Sequence, residues 1–290
     1  MISIIITSFK EPKTIGRAIE AILYNKIKDN FELIISAPDK ETLAVASAYA
    51  KKNKKIRLLK DSGKGKPAAL NLILKKAKGE ILVLTDGDVY IDKNAIQPLL
   101  DKLKDQRVGA VSGHPLSLNS RKTKLGYWSH LLTDMVNLWR KKGKFVSCSG
   151  YLYAARKKLL KPLPQETLSD DAYNSYIIAE QGYAIAYASN SFVYIKYPTT
   201  FSDWIKQKKR SGGGYNQLEY LLKNKSTDRT LIKESSGIFQ VLNYPKTFIE
   251  FIWTLELILA RAYLWTLIFW DINIKKKDFK KIWVRVESTK

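Results

Sequence analysis

The chain has 290 residues, enough for one large domain or two modest ones with a substantial core. Its 45% hydrophobic and 11% aromatic content excludes an extended disordered chain. Cys148 is the only cysteine, which excludes an internal disulfide and a cysteine-based zinc cluster and fits a reducing cytosol. The chain runs directly into an apolar, strand-like segment, so we expect no signal peptide.

The chain is strongly basic, with 50 Lys and Arg against 27 Asp and Glu and a formal net charge of +23. Such a charge suits nucleic acid, an anionic membrane surface or a phosphorylated substrate. It also suits a lysine-rich surface that only faces water, so the charge alone does not choose among these. The sequence lacks helix-turn-helix, zinc-finger and ribonucleoprotein patterns, and we expect no nucleic acid partner.

The first 115 residues alternate apolar strands with helical segments. The predicted strands are 2–6, 31–36, 55–60, 80–85 and 108–113, and the predicted helices are 14–24, 41–51, 67–77 and 94–104. Continuous apolar strands joined by helices predict a parallel sheet with helices on both faces. Ligands of such sheets bind beyond the carboxyl ends of the strands. Three polar segments, 8–11, 37–39 and 86–88, follow strands at that edge, which is therefore the predicted ligand site.

The next hundred residues mix the two kinds of element. We predict three helices: one over 121–142, one that begins after Ser169 as its cap, and one over 201–223. We also predict two short strands around Gly150 and strands over 184–189 and 192–197. Gly212–Gly214 are expected to interrupt the helix over 201–223. Because a basic segment precedes these glycines, they predict a mobile loop that closes on phosphate, or else a plain loop.

The last segment, 224–290, is very apolar and then strongly basic. A helix over 248–270 has one charged stripe and a wide apolar face. Its longest uncharged run is nine residues, short of the roughly 20 that a spanning helix needs. Three arrangements of this helix stay open: it lies in a membrane interface, it packs against the rest of the chain, or it spans a bilayer. The cations of 275–285, interleaved with aromatic residues, favour an anionic membrane surface.

Asp86 and Asp88 flank Gly87 directly after a predicted strand. A Mg²⁺ or Mn²⁺ ion on a diphosphate needs only one or two protein carboxylates, because phosphate oxygens and water complete its coordination. Gly87 is expected to let the backbone turn tightly between the two aspartates. The same pattern also fits an ordinary acidic turn, so it predicts a metal site only in company with other residues.

Those other residues lie in a consistent order along the chain. Lys64 and Lys66 lie in a glycine-rich loop that enters a helix, where cations and free amides favour a diphosphate. Asp39 follows the second strand and can accept hydrogen bonds from a nucleobase or ribose. Asp170 and Asp171 begin a helix and can supply the base that an attacking alcohol needs.

A basic segment further on, "DWIKQKKRSGGG", adds Gln207 and Arg210. Each of these features has a plainer interpretation: solvated lysines, a helix cap or a simple loop. Their joint occurrence on an α/β chain is what favours a nucleotide site.

In this order the segments resemble family 2 glycosyltransferases with the GT-A fold, which include cellulose and hyaluronan synthases and dolichol-phosphate sugar synthases. The resemblance covers about residues 2–215. It is carried by the segments "SIIITSFKEPKTIGRAIEAIL", "APD", "GKGKPAALN", "TDGDVY", "SGYLYAARKKLL" and "LSDDAYNSYIIAEQGYAIAYAS", and by Gln207 and Arg210 at the first and fourth positions of a Q-x-x-R-W motif.

The resemblance implies an α/β, GT-A fold: a Rossmann-like, mostly parallel sheet with flanking helices, followed by a C-terminal amphipathic helical extension. Residues 1–223 are then the glycosyltransferase domain. Within it, 1–115 is the nucleotide-binding half and 116–223 is the acceptor-binding half with a gating loop. Residues 224–290 lie beyond the resemblance, and their own pattern predicts a helical, basic, membrane-associating segment.

The resemblance also implies a reaction and roles for individual residues. The reaction is metal-dependent, inverting transfer from a nucleoside diphosphate sugar, a UDP-sugar if Asp39 contacts uracil, to a hydroxyl acceptor on a glycan or a membrane-proximal lipid. The enzyme would then act as a peripheral protein on the cytoplasmic face of a membrane. The implied residues are Asp171 as base; Ser8, Phe9, Glu11, Asp39, Lys66, Asp86, Gln207 and Arg210 for the nucleotide sugar; Asp88 and Asp86 for Mg²⁺ or Mn²⁺; and Gly150 and Asp170 on the acceptor side.

One departure from the family pattern bears on the product. Ser211 replaces the tryptophan of Q-x-x-R-W, which in processive synthases is linked to holding the growing polymer. We therefore expect a non-processive transferase. Two other classes stay open on the sequence: a nucleotidyltransferase that makes nucleotide sugars, and a non-catalytic basic protein that binds membranes or nucleic acid.

Overall fold

The computed structural model describes residues 1–143, 147–222, 237–274, 286 and 288–289. The strands are β1 (Ile2–Thr7), β2 (Phe31–Ala37), β3 (Ile56–Lys60), β4 (Ile81–Asp86), β5 (Tyr90–Ile91), β6 (Val108–Ser117), β7 (Leu152–Arg156) and β8 (Ala184–Ile195). The helices are α1 (Ile15–Leu23), α2 (Lys40–Lys52), α3 (Lys66–Lys76), α4 (Ile96–Lys102), α5 (Lys124–Lys141), α6 (Asp170–Glu180), α7 (Phe201–Leu221), α8 (Ile238–Leu242) and α9 (Phe248–Phe269). A π-helical turn, Trp270–Ile274, continues α9.

The strands form one eight-stranded sheet in the order β3-β2-β1-β4-β7-β6-β8-β5. Strands β1 to β4 are mutually parallel. Strand β7 lies between β4 and β6 and is antiparallel to both, so β4 and β6 run in the same direction. The predicted α/β fold with a mostly parallel sheet and flanking helices is confirmed, and the inserted β7 makes the sheet mixed.

The central strands are mainly apolar because they are buried on both faces of the sheet. All six residues of β1 are buried, and Ile4, Ile5 and Ile6 are fully inaccessible. A strand buried on both faces shows no alternation of polar and apolar residues. The register pairs Thr7 of β1 with Ser36 of β2 and with Asp86 of β4. The carboxyl ends of these three strands are therefore level.

The chain divides into two compact units. The first comprises residues 1–115 and 147–195 and holds nearly the whole sheet with helices α1 to α4 and α6. The second contains helices α5, α7, α8 and α9. The domain division at residue 223 stays a prediction, and residues 223–236 and most of 275–290 lie outside the described residues.

The predicted interruption at Gly212–Gly214 is wrong, because α7 is continuous from Phe201 to Leu221. A glycine costs roughly 1 kcal/mol relative to alanine inside a helix, so tertiary contacts must offset this loss. A Cβ atom on Gly212 would lie 2.6 Å from Cδ1 of Ile268 on α9. Glycine at this position thus permits close packing of α7 on α9.

Three smaller predictions also need correction. Strand β8 is a single strand over the two segments predicted as separate strands. Within the described residues around Gly150, only β7 is a strand, and residues 145 and 146 lie outside the description. Ser169 stands at the cap position of α6, but its side chain makes no capping hydrogen bond.

Helix α9 is long and apolar enough, by length and composition, to cross a membrane. Its most apolar 18-residue window has a mean hydropathy of 1.5, and 28% of that window is buried. Core helices of soluble proteins meet the same criterion. The buried side, which includes Leu257 and Ala260, packs in a cluster with Tyr127, Trp128 and Trp204.

We expect Gly212→Val to lower the free energy of unfolding by about 1–3 kcal/mol, because the new methyl groups overlap Ile268. Urea unfolding of the full chain measures the change. In an Ile268→Ala background the same substitution should cost clearly less, because the space that the isoleucine filled is then open. Equal costs in both backgrounds would contradict this packing.

Candidate functional site

Polar side chains meet at the level carboxyl ends of β1, β2 and β4. The Thr7 hydroxyl donates to Oδ1 of Asp86 over 3.1 Å. Directly after β1, the Ser8 hydroxyl donates to Oε2 of Glu11 over 2.7 Å. Asp88 follows two residues after Asp86 with a half-buried side chain. The structure thus brings Ser8, Glu11 and Asp86 together at one edge of the sheet.

Gly87 makes this close approach possible. A Cβ atom at Gly87 would lie 2.5 Å from the Ser8 Oγ atom and 2.6 Å from Oε2 of Glu11. The φ angle of Gly87 is not in the left-handed region. Residues 87 and 88 form the predicted turn, but its backbone conformation does not require glycine. Glycine is needed because the segment after β1 leaves no room for a side chain.

Lys66 joins two acidic segments. Its Nζ atom lies 2.9 Å from Oδ1 of Asp86 and 3.4 Å from Oδ1 of Asp170. It is the first residue of α3 and follows Gly65, whose φ of +100° requires glycine. Burial disfavours the ammonium ion, but Asp170 and Asp86 outweigh burial and hold the pKa of Lys66 well above its usual value. Lys66 is therefore a permanent cation at this edge.

Asp170 is buried at the start of α6. Burial raises the pKa of Asp170 to about 6, although Lys66 opposes the rise, and the carboxylates of Asp171 and Asp86 add to it. Its Oδ2 atom is buried and has no hydrogen-bond partner among the described residues. The ion pair with Lys66 is the contact that Asp170 makes at this edge, and it suits a residue that positions Lys66.

Asp171 lies against Gly150. A Cβ atom at Gly150 would lie 2.9 Å from Oδ2 and 3.1 Å from Cγ of Asp171. Ser175 fixes this contact, because its hydroxyl donates to the Asp171 carbonyl over 2.7 Å and accepts from the amide of Cys148 over 2.9 Å. The structure therefore brings the predicted base and the predicted acceptor segment into contact, with Gly150 leaving space beside the carboxylate.

Two residues near this cluster escaped the sequence interpretation. Tyr153 on β7 is buried, and its hydroxyl accepts from Nδ2 of Asn174 over 3.0 Å. Burial raises the pKa of Tyr153 well above its usual value, and the charge of Asp170 adds to the rise. A tyrosine in an apolar strand has the pattern of a core residue. Only the antiparallel pairing of β7 with β4 brings it beside the acidic residues.

Asp39 caps helix α2 as well as facing the edge. Its Oδ1 atom accepts from the amide of Thr42 over 2.9 Å, and its Oδ2 atom accepts from the amide of Lys10 over 2.8 Å. Burial would raise the pKa of Asp39, but the hydrogen bonds from Thr42 and Lys10 outweigh burial and lower it. Asp39 is thus an ionised acceptor that holds the segment after β1, beside the half-exposed Phe9.

Gln207 and Arg210 lie on α7, in the second unit. Their spacing of three places both on one face of that helix. The Oε1 atom of Gln207 is buried and has no hydrogen-bond partner among the described residues. Their participation in a nucleotide site with the residues of the first unit stays a prediction.

A divalent ion would depend on few protein ligands at this edge. Within the described residues, no group of three or more His, Cys, Asp or Glu side chains could hold a metal. Asp86 and Asp88 are two carboxylates separated by one residue at the end of a buried strand. That set fits an ion whose remaining ligands are diphosphate oxygens and water.

Solved structures with a similar fold are glycosyltransferases. The mannosyltransferase PcManGT from Pyrobaculum calidifontis, solved with GDP-Man and Mn²⁺, matches with a TM-score of 0.64 at 18% identity, over 97% of this chain and 83% of that protein. Staphylococcus aureus TarS 1-349, solved with UDP-GlcNAc, matches with a TM-score of 0.52 at 17% identity, over 74% of this chain and 66% of that one. These similarities show the GT-A fold.

Sequence relatives include the probable glycosyltransferase YdaM of Bacillus subtilis, 24% identical over 94% of this chain and 68% of that protein. A poly-beta-1,6-N-acetyl-D-glucosamine synthase of Staphylococcus epidermidis is 23% identical over 75% of this chain. The chain matches 55% of the length of that synthase. The family model described as "Glycosyl transferase family 2" matches residues 3–163, which is more than half of the chain. The chain therefore belongs to glycosyl transferase family 2.

Proposed function

We propose that this glycosyltransferase is a metal-dependent, inverting enzyme that transfers a sugar from a nucleoside diphosphate sugar to a hydroxyl acceptor. One observation carries the proposal: Lys66 joins Asp86 to Asp170, and the next residue, Asp171, packs its carboxylate against Gly150. A cation for the diphosphate and a carboxylate for the acceptor are thus close together at one edge of the sheet.

The donor requires neutralisation of the departing diphosphate. A Mg²⁺ or Mn²⁺ ion held by Asp88 and Asp86 would stabilise the negative charge that develops on the leaving oxygen. PcManGT, the similar protein of known structure, was solved with Mn²⁺. Lys66 adds a fixed positive charge beside Asp86. Gln207 and Arg210 on α7 are proposed as further contacts to the diphosphate.

The acceptor requires removal of one proton. We assign the base to the carboxylate of Asp171, which takes the proton of the acceptor hydroxyl as its oxygen bonds to the anomeric carbon. The bond from that carbon to the diphosphate breaks on the opposite side, so the configuration inverts. Asp170 is the poorer candidate, because burial favours its neutral form and Lys66 occupies one of its oxygens.

The donor is proposed to be a UDP-sugar, with Ser8, Phe9, Glu11 and Asp39 around the nucleotide. The ionised Asp39 can accept a hydrogen bond from a nucleobase. The two similar structures were solved with different donors, UDP-GlcNAc and GDP-Man, so the donor screen must include both nucleotides. The acceptor is a hydroxyl group on a glycan or a lipid-linked sugar, and Ser211 favours a single transfer.

Asp171→Asn should lower kcat by about 100- to 10,000-fold, because the amide cannot take the acceptor proton. Binding of the nucleotide, measured by calorimetry with Mn²⁺ present, should change little. The control is Asp101→Asn on the exposed surface of α4, which should leave kcat unchanged. Turnover of Asp171→Asn near the wild-type rate would refute the base assignment.

Asp88→Ala should remove the dependence of nucleoside diphosphate binding on Mn²⁺, because the ion loses a protein ligand. The measurement compares affinities for UDP and GDP with and without Mn²⁺ in wild type and variant. A wild-type affinity that Mn²⁺ does not change would exclude the proposed metal role. The same assays identify the released product, since a nucleoside diphosphate indicates sugar transfer and pyrophosphate indicates a nucleotidyltransferase.

Gly150→Ala should lower kcat by about tenfold or more and leave nucleotide affinity unchanged, since the new methyl group overlaps the carboxylate of Asp171. Asp101→Asn on the exposed surface of α4 serves as the control here too. The proposed geometry fails if both substitutions have the same effect on kcat.

A further inference from the structure

Helix α9 exposes a continuous apolar face on the second unit. Ile249 is one of eight large apolar side chains that α9 exposes and lies outside this face; at about 100° per residue, the other seven fall within an arc of roughly 120°. They are Phe248, Phe251, Ile252, Leu255, Leu259, Tyr263 and Phe269. Phe248 is 79% exposed and Leu259 is 71% exposed. Every residue in this arc is uncharged, over a helix of 22 residues or about 33 Å. Soluble monomers rarely leave so large an apolar face in water.

The opposite side of α9 is tied to α5 by polar contacts. Arg121 binds both carboxylate oxygens of Glu250, over 2.8 and 3.2 Å. The hydroxyls of Tyr127 and Thr254 lie 2.6 Å apart. The indole nitrogen of Trp128 donates to the carbonyl of Trp253 over 2.7 Å. These contacts fix the rotation of α9 and direct the apolar face away from α5.

The carboxyl-terminal half of α9 is fixed to α7. Gly212 of α7 leaves just enough room for Ile268, and Lys209 forms an ion pair with the buried Asp271 after α9. A helix that spans a bilayer could not keep these contacts, because α5 and α7 carry charged side chains that would enter the hydrocarbon. The structure is therefore compatible with a helix that lies along a surface.

The charge of the second unit decides what covers the face. Residues 116–145 and 196–289 contain 24 Lys and Arg against 10 Asp and Glu. A second copy of this chain would bring the same positive charge toward the face and be repelled. An anionic lipid surface supplies both the apolar interior and the opposite charge.

We propose that α9 lies in the plane of an anionic lipid surface, with its face of Phe248, Ile252, Leu255, Leu259 and Tyr263 buried among the acyl chains. The inference goes beyond the proposed function, because it names a surface outside the sheet edge. It identifies the chain as a peripheral membrane protein, held by one helix whose polar side stays on the protein.

Co-sedimentation with vesicles tests the face. The probe is phosphatidylcholine with about one third phosphatidylglycerol, and pure phosphatidylcholine vesicles are the comparison. Leu255→Asp combined with Leu259→Asp should lower the vesicle-bound fraction of the full chain about tenfold. Tyr24→Asp and Tyr220→Asp place the same charges at exposed positions outside the face, and this double variant should bind within twofold of wild type.

Depth measurements separate a surface helix from a spanning one. Cys148 is buried, so single cysteines at Phe248, Leu259 and Phe269 can carry a fluorescent probe. A quencher held at the depth of the lipid carbonyls should quench all three probes about equally. A probe at Leu259 that only a mid-bilayer quencher reaches, with shallow probes at both ends, would overturn the proposal in favour of a span.

Three further results would also overturn the membrane proposal. They are no binding of wild type to the anionic vesicles, equal binding of wild type and the Leu255→Asp, Leu259→Asp variant, or a lipid-independent dimer that this variant abolishes.

Hydrolysis of nucleotide sugar without vesicles should be the same in this face variant and in wild type. Vesicle binding that persists without any sugar transfer would refute the proposed function and leave this inference standing.

Discussion

The ion pairs of Lys66 are the interaction on which the site depends. Asp86 ends a central strand, and Asp170 and Asp171 begin a helix more than eighty residues later. Three carboxylates at one sheet edge repel one another, and burial makes the repulsion worse because water no longer screens it. The ammonium group of Lys66, at the start of a third element, binds two of the three. It offsets this repulsion without any bound diphosphate or metal. It also sets the separation between the carboxylate of Asp86 and the start of α6.

Two glycines give the site its shape by leaving out side chains. Gly87 admits the Ser8–Glu11 segment against the end of β4, and Gly150 admits the carboxylate of Asp171 against the backbone that precedes β7. Neither glycine adopts a positive φ, so neither serves to relieve backbone strain. Each places a polar atom within 3 Å of where a Cβ atom would stand. The position of the candidate base is thus fixed by backbone packing, which holds side chains more accurately than flexible contacts do.

The sequence predicted the elements whose signal is local. The apolar runs of β1, β2 and β4 and the level edge beyond them follow from hydrophobic pattern and from the rule that parallel strands end on one side. The insertion of β7 between β4 and β6 depends on pairing over more than forty residues, which no local pattern encodes. Tyr153 and Asn174 were missed for that reason.

The interruption at Gly212–Gly214 was predicted wrongly because helix propensity is a weak guide where a neighbouring helix packs closely. The capping role of Asp39 was missed although its partner, the amide of Thr42, lies only three residues away. The second hydrogen bond of Asp39, from the amide of Lys10, joins another loop and could not be predicted from a local pattern.

Helix α7 links the two proposals that concern the second unit. Gln207 and Arg210 lie on α7 one turn before Gly212, where the helix packs against Ile268 of α9. Close packing without a side chain at Gly212 leaves little freedom for α7 to slide along α9, since interdigitated cores resist small shifts. A surface that fixes the orientation of α9 therefore also fixes the direction in which α7 presents Gln207 and Arg210. The continuous helix replaces the predicted loop, so a movement of Arg210 relative to the rest of the second unit would involve α7 and α9 together.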